Sequence, residues 1–224
     1  MAGRGDHRCR ERDPGTLSSP ALLGLTIAAD AERWARAGFA VENGRCSVGA
    51  VTLEFVDPVA ERSEGVLSWS LAGVEAGEVD GLPSAPADDS TQSSNHPNGV
   101  LAIDHVVVLT PDLERTTGAI EGIGARRRRL REVGEGDDLL RQGFFRLGEP
   151  ILEVVEHART RESPSHPASF WGITFVVTDL DASADLLGDR LGSIKDAVQP
   201  GRRIATVRKE AGLGLPVALM TSES

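Results

Sequence analysis

Tyrosine is missing from the chain and the other rings are scarce: three Trp and six Phe make aromatics only 4% of 224 residues. Any core must therefore be built from Leu, Val, Ile and Ala. Cysteine is nearly as rare. Cys9 and Cys46 have neither CxxC spacing nor a second pair, which excludes a disulfide scaffold or a zinc ribbon and fits a reduced, cytoplasmic chain with two free thiols. No apolar run reaches the roughly 18–20 residues that span a bilayer. The charged start, 1-MAGRGDHRCRERDPGTLSS-19, lacks the apolar segment of a signal peptide and reads as a disordered leader whose RGD is a chance match. Positive charge is also short. With 24 Lys and Arg against 34 Asp and Glu the net charge is −10, which excludes a general nucleic-acid binder and disfavours anionic membranes. Phosphate loops ending in GKS or GKT, the GxSxG elbow and HExxH are all absent.

What remains is an ordinary globular balance, 40% apolar and 26% charged. The stretch 75-EAGEVDGLPSAPADDSTQSSNHPNG-99 is rich in Pro, Gly, Ser and Asp without apolar period, and reads as a flexible linker. It separates an N-terminal region, 20–74, from a C-terminal region, 100–224. Across that division the sequence repeats. The segments 23-LGLTIAADAERW-34, 103-IDHVVVLTPDLE-114 and 171-WGITFVVTDLDA-182 each run from an apolar strand into an Asp-bearing turn and a helix, the Asp being suited to cap the first turn. The helices are expected over 30–37, 112–122 and 179–190. Each copy closes alike, in 48-VGAVTLEFV-56, 147-LGEPILEVV-155 and 212-GLGLPVALM-220, where a glycine turn leads into a short apolar strand. A further strand, 65-GVLSWSLAG-73, either opens a fourth, truncated unit or extends the sheet of the first.

An α+β chain of repeated βαβββ units, with two full copies at 101–157 and 170–221 and a partial one before the linker, resembles the vicinal oxygen chelate superfamily of glyoxalases, extradiol dioxygenases and bleomycin-resistance proteins. The resemblance implies curved mixed sheets that enclose a cup for a small molecule. It also implies a divalent metal held by residues on the first and last strands of each unit. Carried onto this chain, it marks His105 on a first strand and Glu153 on a last strand, with Glu54 at the last-strand position of the first unit. Fe(II), Mn(II), Zn(II) or Ni(II) suits such a donor set. The third unit departs from the pattern, because alignment puts Ile173 and Ala218 at the two ligand positions, and the first unit offers Leu25 opposite Glu54. His105, Glu54 and Glu153 would come together only if the first two units paired or if subunits of a homodimer exchanged units.

Two readings stay open on this basis: a metal-dependent lyase, isomerase or dioxygenase, or a metal-free protein that binds and sequesters a small molecule. A structural His105–Glu153 pair is a third. Further ligand contacts are sought at Gln142 and Arg146, which alternate onto one side of 142-QGFFRLG-148. Arg128 is sought in 125-ARRRRLREV-133, where strict alternation would set Arg126 and Arg128 against Arg127, Arg129 and Arg131. The competing reading of those arginines is a solvated edge strand protected by charge. His7, His96 and His166 fall in expected loops and carry no assigned chemistry.

Overall fold

The computed structural model describes residues 19–59, 64–85, 94–158 and 165–222. The leader's first 18 residues, Cys9 and the RGD among them, lie outside that set. Every opening strand ends in the anticipated way. Asp30, Asp112 and Asp179 each accept hydrogen bonds from first-turn N–H groups of the helices α1 (Ala31–Arg36), α2 (Leu113–Gly122) and α3 (Leu180–Leu187).

The second unit is β7 (Val100–Thr110), α2, β8 (Arg127–Val133), β9 (Leu140–Arg146) and β10 (Ile151–His157); the third is β11 (Ser169–Val177), α3, β12 (Lys195–Asp196), β13 (Arg203–Thr206) and β14 (Val217–Thr221). In both, the first and last strands pair in parallel, which calls for a long crossover between them, here begun by the helix. The first strands of the two units, β7 and β11, pair antiparallel at the centre of one eight-stranded sheet, β12-β13-β14-β11-β7-β10-β9-β8. The cup-forming pairing is therefore between units two and three, inside a single chain.

A smaller copy of this plan precedes it. The first unit is β1 (Ala21–Ala28), α1, β2 (Arg45–Val48) and β3 (Val51–Val56), with β1 and β3 parallel. Its first strand meets β4 (Gly65–Ala72) antiparallel, as β7 meets β11. The stretch read as a linker holds structure of its own: residues 77–85 form β5 (Gly77–Val79) and β6 (Leu82–Ala85), and β6 pairs parallel with β4, while residues 86–93 lie outside the described set. Here β4 opens a truncated fourth unit that has lost its helix, giving the six-stranded sheet β2-β3-β1-β4-β6-β5. Composition misread this hairpin because its turn residues outnumber its apolar ones.

Both curved sheets contribute to one buried cluster. Trp34 of α1 stands at its centre, with ring centroids 4.8 Å from Phe39, 5.0 Å from Phe55 and 6.2 Å from Phe175 of the larger sheet, and its indole N–H donates to the Leu213 carbonyl at 3.1 Å. At the other end Asp80, in the β5–β6 turn, accepts from Arg115 Nε at 2.7 Å and from the Thr116 hydroxyl, tying the small sheet to α2. Among the described residues no helix is long and apolar enough to cross a membrane.

Candidate functional site

Which way each side chain points follows from α2. A Cβ on Gly143 would lie 3.0 Å from Thr117 and 3.6 Å from Leu113, so Gly143 lies directly beneath the helix. Glu156 accepts from the Leu113 N–H at 2.8 Å and shares that side. By the two-residue period of a strand, Gln142 and Phe144 of β9 and Glu153 of β10 face the opposite way, into the cup. Parallel register sets Ile151 beside His105 and Glu153 beside Val107, which brings His105 and Glu153 to the same face on neighbouring strands.

A bulge completes the site. Thr174 of β11 pairs with His105 and Phe175 with Ile103, so Asp104 is an extra residue in β7. In a regular strand neighbours point to opposite faces; the bulge lets Asp104 turn to His105, with Oδ2 2.7 Å from Nδ1. Its other oxygen accepts from Arg202 Nη2 at 2.6 Å, while Arg202 Nε donates to the Thr221 carbonyl at 2.8 Å. Asp104 and Arg202 are both nearly buried, with side chains 9% and 5% exposed. Burial pushes the Asp104 carboxyl up, but hydrogen bonds from His105 and Arg202 outweigh it and hold the group below its ordinary value of 3.8.

An ionised carboxylate only accepts, so Nδ1 carries the hydrogen, and in the neutral ring Nε2 presents a lone pair. That lone pair faces Glu153 Oε2 at 3.8 Å, beyond hydrogen-bonding range. A divalent ion bound at about 2.0–2.2 Å by each atom spans such a gap. Gln142 donates through Nε2 to the other Glu153 oxygen, and its own Oε1 is buried with no partner. An orphaned amide oxygen on the side chain that holds Glu153 fits the needs of a hard or borderline cation. Two of these three donors are of the His and carboxylate type, and among the described residues no group of three or more His, Cys, Asp and Glu side chains is arranged to hold a metal.

Glu54 is elsewhere. It lies on β3 of the six-stranded sheet, where Arg45 Nη2 contacts it at 3.3 Å, because the first unit pairs with β4 rather than with the second unit. The structure does not bring it to His105. Arg146 shares the cup face, but its Nη1 donates to the Glu149 carbonyl at 2.6 Å and so closes the β9–β10 turn. Arg128 is exposed and, with Arg129, opposes Phe144 across a second bulge. That bulge breaks the strict alternation expected for β8: Arg127 pairs with Phe145 on the helix side, whereas Arg129 pairs with Phe144 on the cup side.

Register also revises the ligand alignment. Thr174 pairs with Ala218 as Val107 pairs with Glu153, so the counterpart of His105 in the third unit is Gly172, two residues before Thr174, and not Ile173. Ile173 is 2% exposed in the core. A Cβ at 172 would stand 2.6 Å from the Pro216 carbonyl oxygen, which closes that position to any ligating side chain without a shift of β14. The same count in the first unit, from Glu54 through its partner Thr26, gives Gly24 in place of Leu25. Sequence reading missed Asp104 and Arg202 altogether. The only signal for the first was a carboxylate next to the histidine, which carries meaning only once the bulge is known.

Paired βαβββ units with their first strands joined at the centre of a curved sheet define the vicinal oxygen chelate, or glyoxalase-like, fold, and this chain has it. No protein-family model and no curated protein sequence matches it. Among solved structures it is similar to a mutant of 4-hydroxymandelate synthase from Streptomyces coelicolor, with a TM-score of 0.64 at 14% identity over 91% of this chain and 93% of that one. Methylmalonyl-CoA epimerases align over 56% of this chain. The Mycobacterium tuberculosis protein does so at 15% identity over 91% of its own length, and a Streptomyces coelicolor one at 21% over 99%, both with a TM-score of 0.45.

Proposed function

We propose that the cup of the eight-stranded sheet binds a small molecule beside a divalent cation held by His105 Nε2, Glu153 Oε2 and the Gln142 amide oxygen. The observation that carries this reading is the pair of electron-donating atoms facing each other at 3.8 Å, one of them on a ring whose other nitrogen is fixed by Asp104. Such an ion would supply Lewis-acid polarisation of adjacent substrate oxygens, the chemistry shared by lyase, isomerase and dioxygenase members of this superfamily. The mixed nitrogen and oxygen donors suit Fe(II), Mn(II), Zn(II) or Ni(II). The chain's own residues do the positioning. Asp104 fixes the tautomer and ring plane of His105, Arg202 anchors Asp104 from below, and Gln142 holds one Glu153 oxygen so that the other turns toward Nε2.

A second reading rests on Gly172 and Ala218, which leave the third unit without ligands. In it the cup binds its small molecule without metal, and a protonated His105 bridges Asp104 and Glu153. Elemental analysis of protein purified without a metal-affinity tag separates the two. Near-stoichiometric metal in the wild type that is lost in His105→Ala supports the first reading. No metal in either, after incubation with all four ions, leaves the second.

A further inference from the structure

We infer that the outer wall of the same cup, on β8, is an anion site in which Arg129 and Arg131 receive a carboxylate or phosphate group of the bound molecule. The inference deepens the proposed use of the cup and rests on it. Five of the six residues from 126 to 131 are arginine, in a chain whose net charge is −10. Their surroundings differ sharply. Arg127 turns to the helix side and meets Glu114 at 3.7 Å and Glu121 at 3.5 Å. Arg141 on the next strand is held by Glu114, Glu132 and Glu156. The Arg129 and Arg131 side chains have no hydrogen bond or ion pair among the described residues, although Arg131 is only partly exposed.

Register aims both at the site. Arg129 pairs with Phe144, Phe144 with Glu153 and Glu153 with Val107, one row across the cup face; Arg131 pairs with Gln142 in the row beside it. The bulge at Arg128 produces this aim, since without it Arg129 would share the helix side with Arg127. Protection of a sheet edge needs charge of either sign and no particular face, so it accounts for arginines here but not for two unpaired ones turned to the cup. Two strand spacings put the Arg129 backbone about 10 Å from that of Glu153. Guanidinium forks bind carboxylate and phosphate oxygens in pairs. A ligand that fits both ends carries neighbouring oxygens at one end, an uncharged segment over Phe144, and an anionic group at the other.

The test is an NMR titration of the full chain with inorganic phosphate and, separately, with acetate at low ionic strength. The variants are Arg129→Gln with Arg131→Gln, the charge-matched control Lys195→Gln with Lys209→Gln, and His105→Ala. Saturable shifts on β8 and β9 are expected, weakened at least about tenfold in the double arginine variant and unchanged in the lysine control. The preferred anion then tells a phosphate-bearing ligand from a carboxylate. Neither anion binding, or equal weakening by the lysine control, overturns the inference. Because His105→Ala is scored separately for metal, failure of the cation site and failure of the anion site are distinct results.

Discussion

Asp104 does more for this site than its size suggests. It is the buried link between the Arg202 guanidinium and a histidine that faces the cup, so its two neighbours depend on it in different ways. Arg202→Met leaves a buried carboxylate short of its cation and is expected to cost about 3–5 kcal/mol of stability, while Arg202→Met combined with Asp104→Leu recovers most of that loss; urea unfolding of the two variants checks it. The sign with pH follows from the depressed Asp104 value. The ionised form is favoured in the folded state, so the contribution is present in full above 3.8 and is lost as the pH falls below it. Asp104→Asn keeps the volume but removes the charge that sets the tautomer, and should weaken metal binding about 10- to 100-fold, measured by competition with a chelating dye. Cys46 is a contrasting case. Burial alone pushes its thiol up to about 12, which makes it a core residue and inert toward alkylating reagents in the folded protein.

The repeated elements were the most legible part of the sequence. Three Asp caps at the ends of three apolar strands locate α1, α2 and α3, because capping is a local interaction encoded by one residue and its immediate neighbours. Bulges are not local in that sense. Asp104 and Arg128 are extra residues only relative to a partner strand, and nothing in their own segment announces them; hence the misassigned faces of β8. Ile173 is read in place of Gly172 for a related reason, because the pairing of first with last strand in each unit is not written in either segment. The end of the supposed linker is likewise set by distant contacts. His96 is 7% exposed, accepting from the Ala40 N–H at 3.0 Å and lying 3.0 Å from the Ser47 carbonyl, and Asn98 donates to the Ala37 carbonyl. Desolvation holds the His96 ring below its ordinary 6.5, with the bond to Ser47 opposing. The neutral ring is favoured on folding, so its contribution is full above 6.5 and fades as the pH drops through the lowered value. His96→Ala should destabilise by about 1–3 kcal/mol by leaving buried backbone groups unpaired. The difference from wild type should shrink between about pH 7.5 and about pH 5.5 in matched urea titrations.

Across the whole molecule, two sheets of one plan share a single core, and among the described residues only the larger keeps a histidine in its cup. Trp34 packs against both, so Trp34→Ala is expected to cost about 3–5 kcal/mol and to lower one common transition, seen alike by far-ultraviolet circular dichroism and by Trp69 and Trp171 fluorescence. Two separated transitions would show that the sheets unfold independently. The pseudo-duplication also explains why Glu54 read as a ligand: it occupies on β3 the place of Glu153 on β10, but its first-strand partner position is Gly24, and Arg45 takes up its charge. The most direct test of the cup as a cation site is X-ray diffraction from crystals grown with Mn(II) or Zn(II), with anomalous data at the metal edge. One strong anomalous peak per chain is expected between His105 Nε2 and Glu153 Oε2, within reach of the Gln142 amide oxygen. A map without that peak, with His105 hydrogen-bonded directly to Glu153, would contradict it.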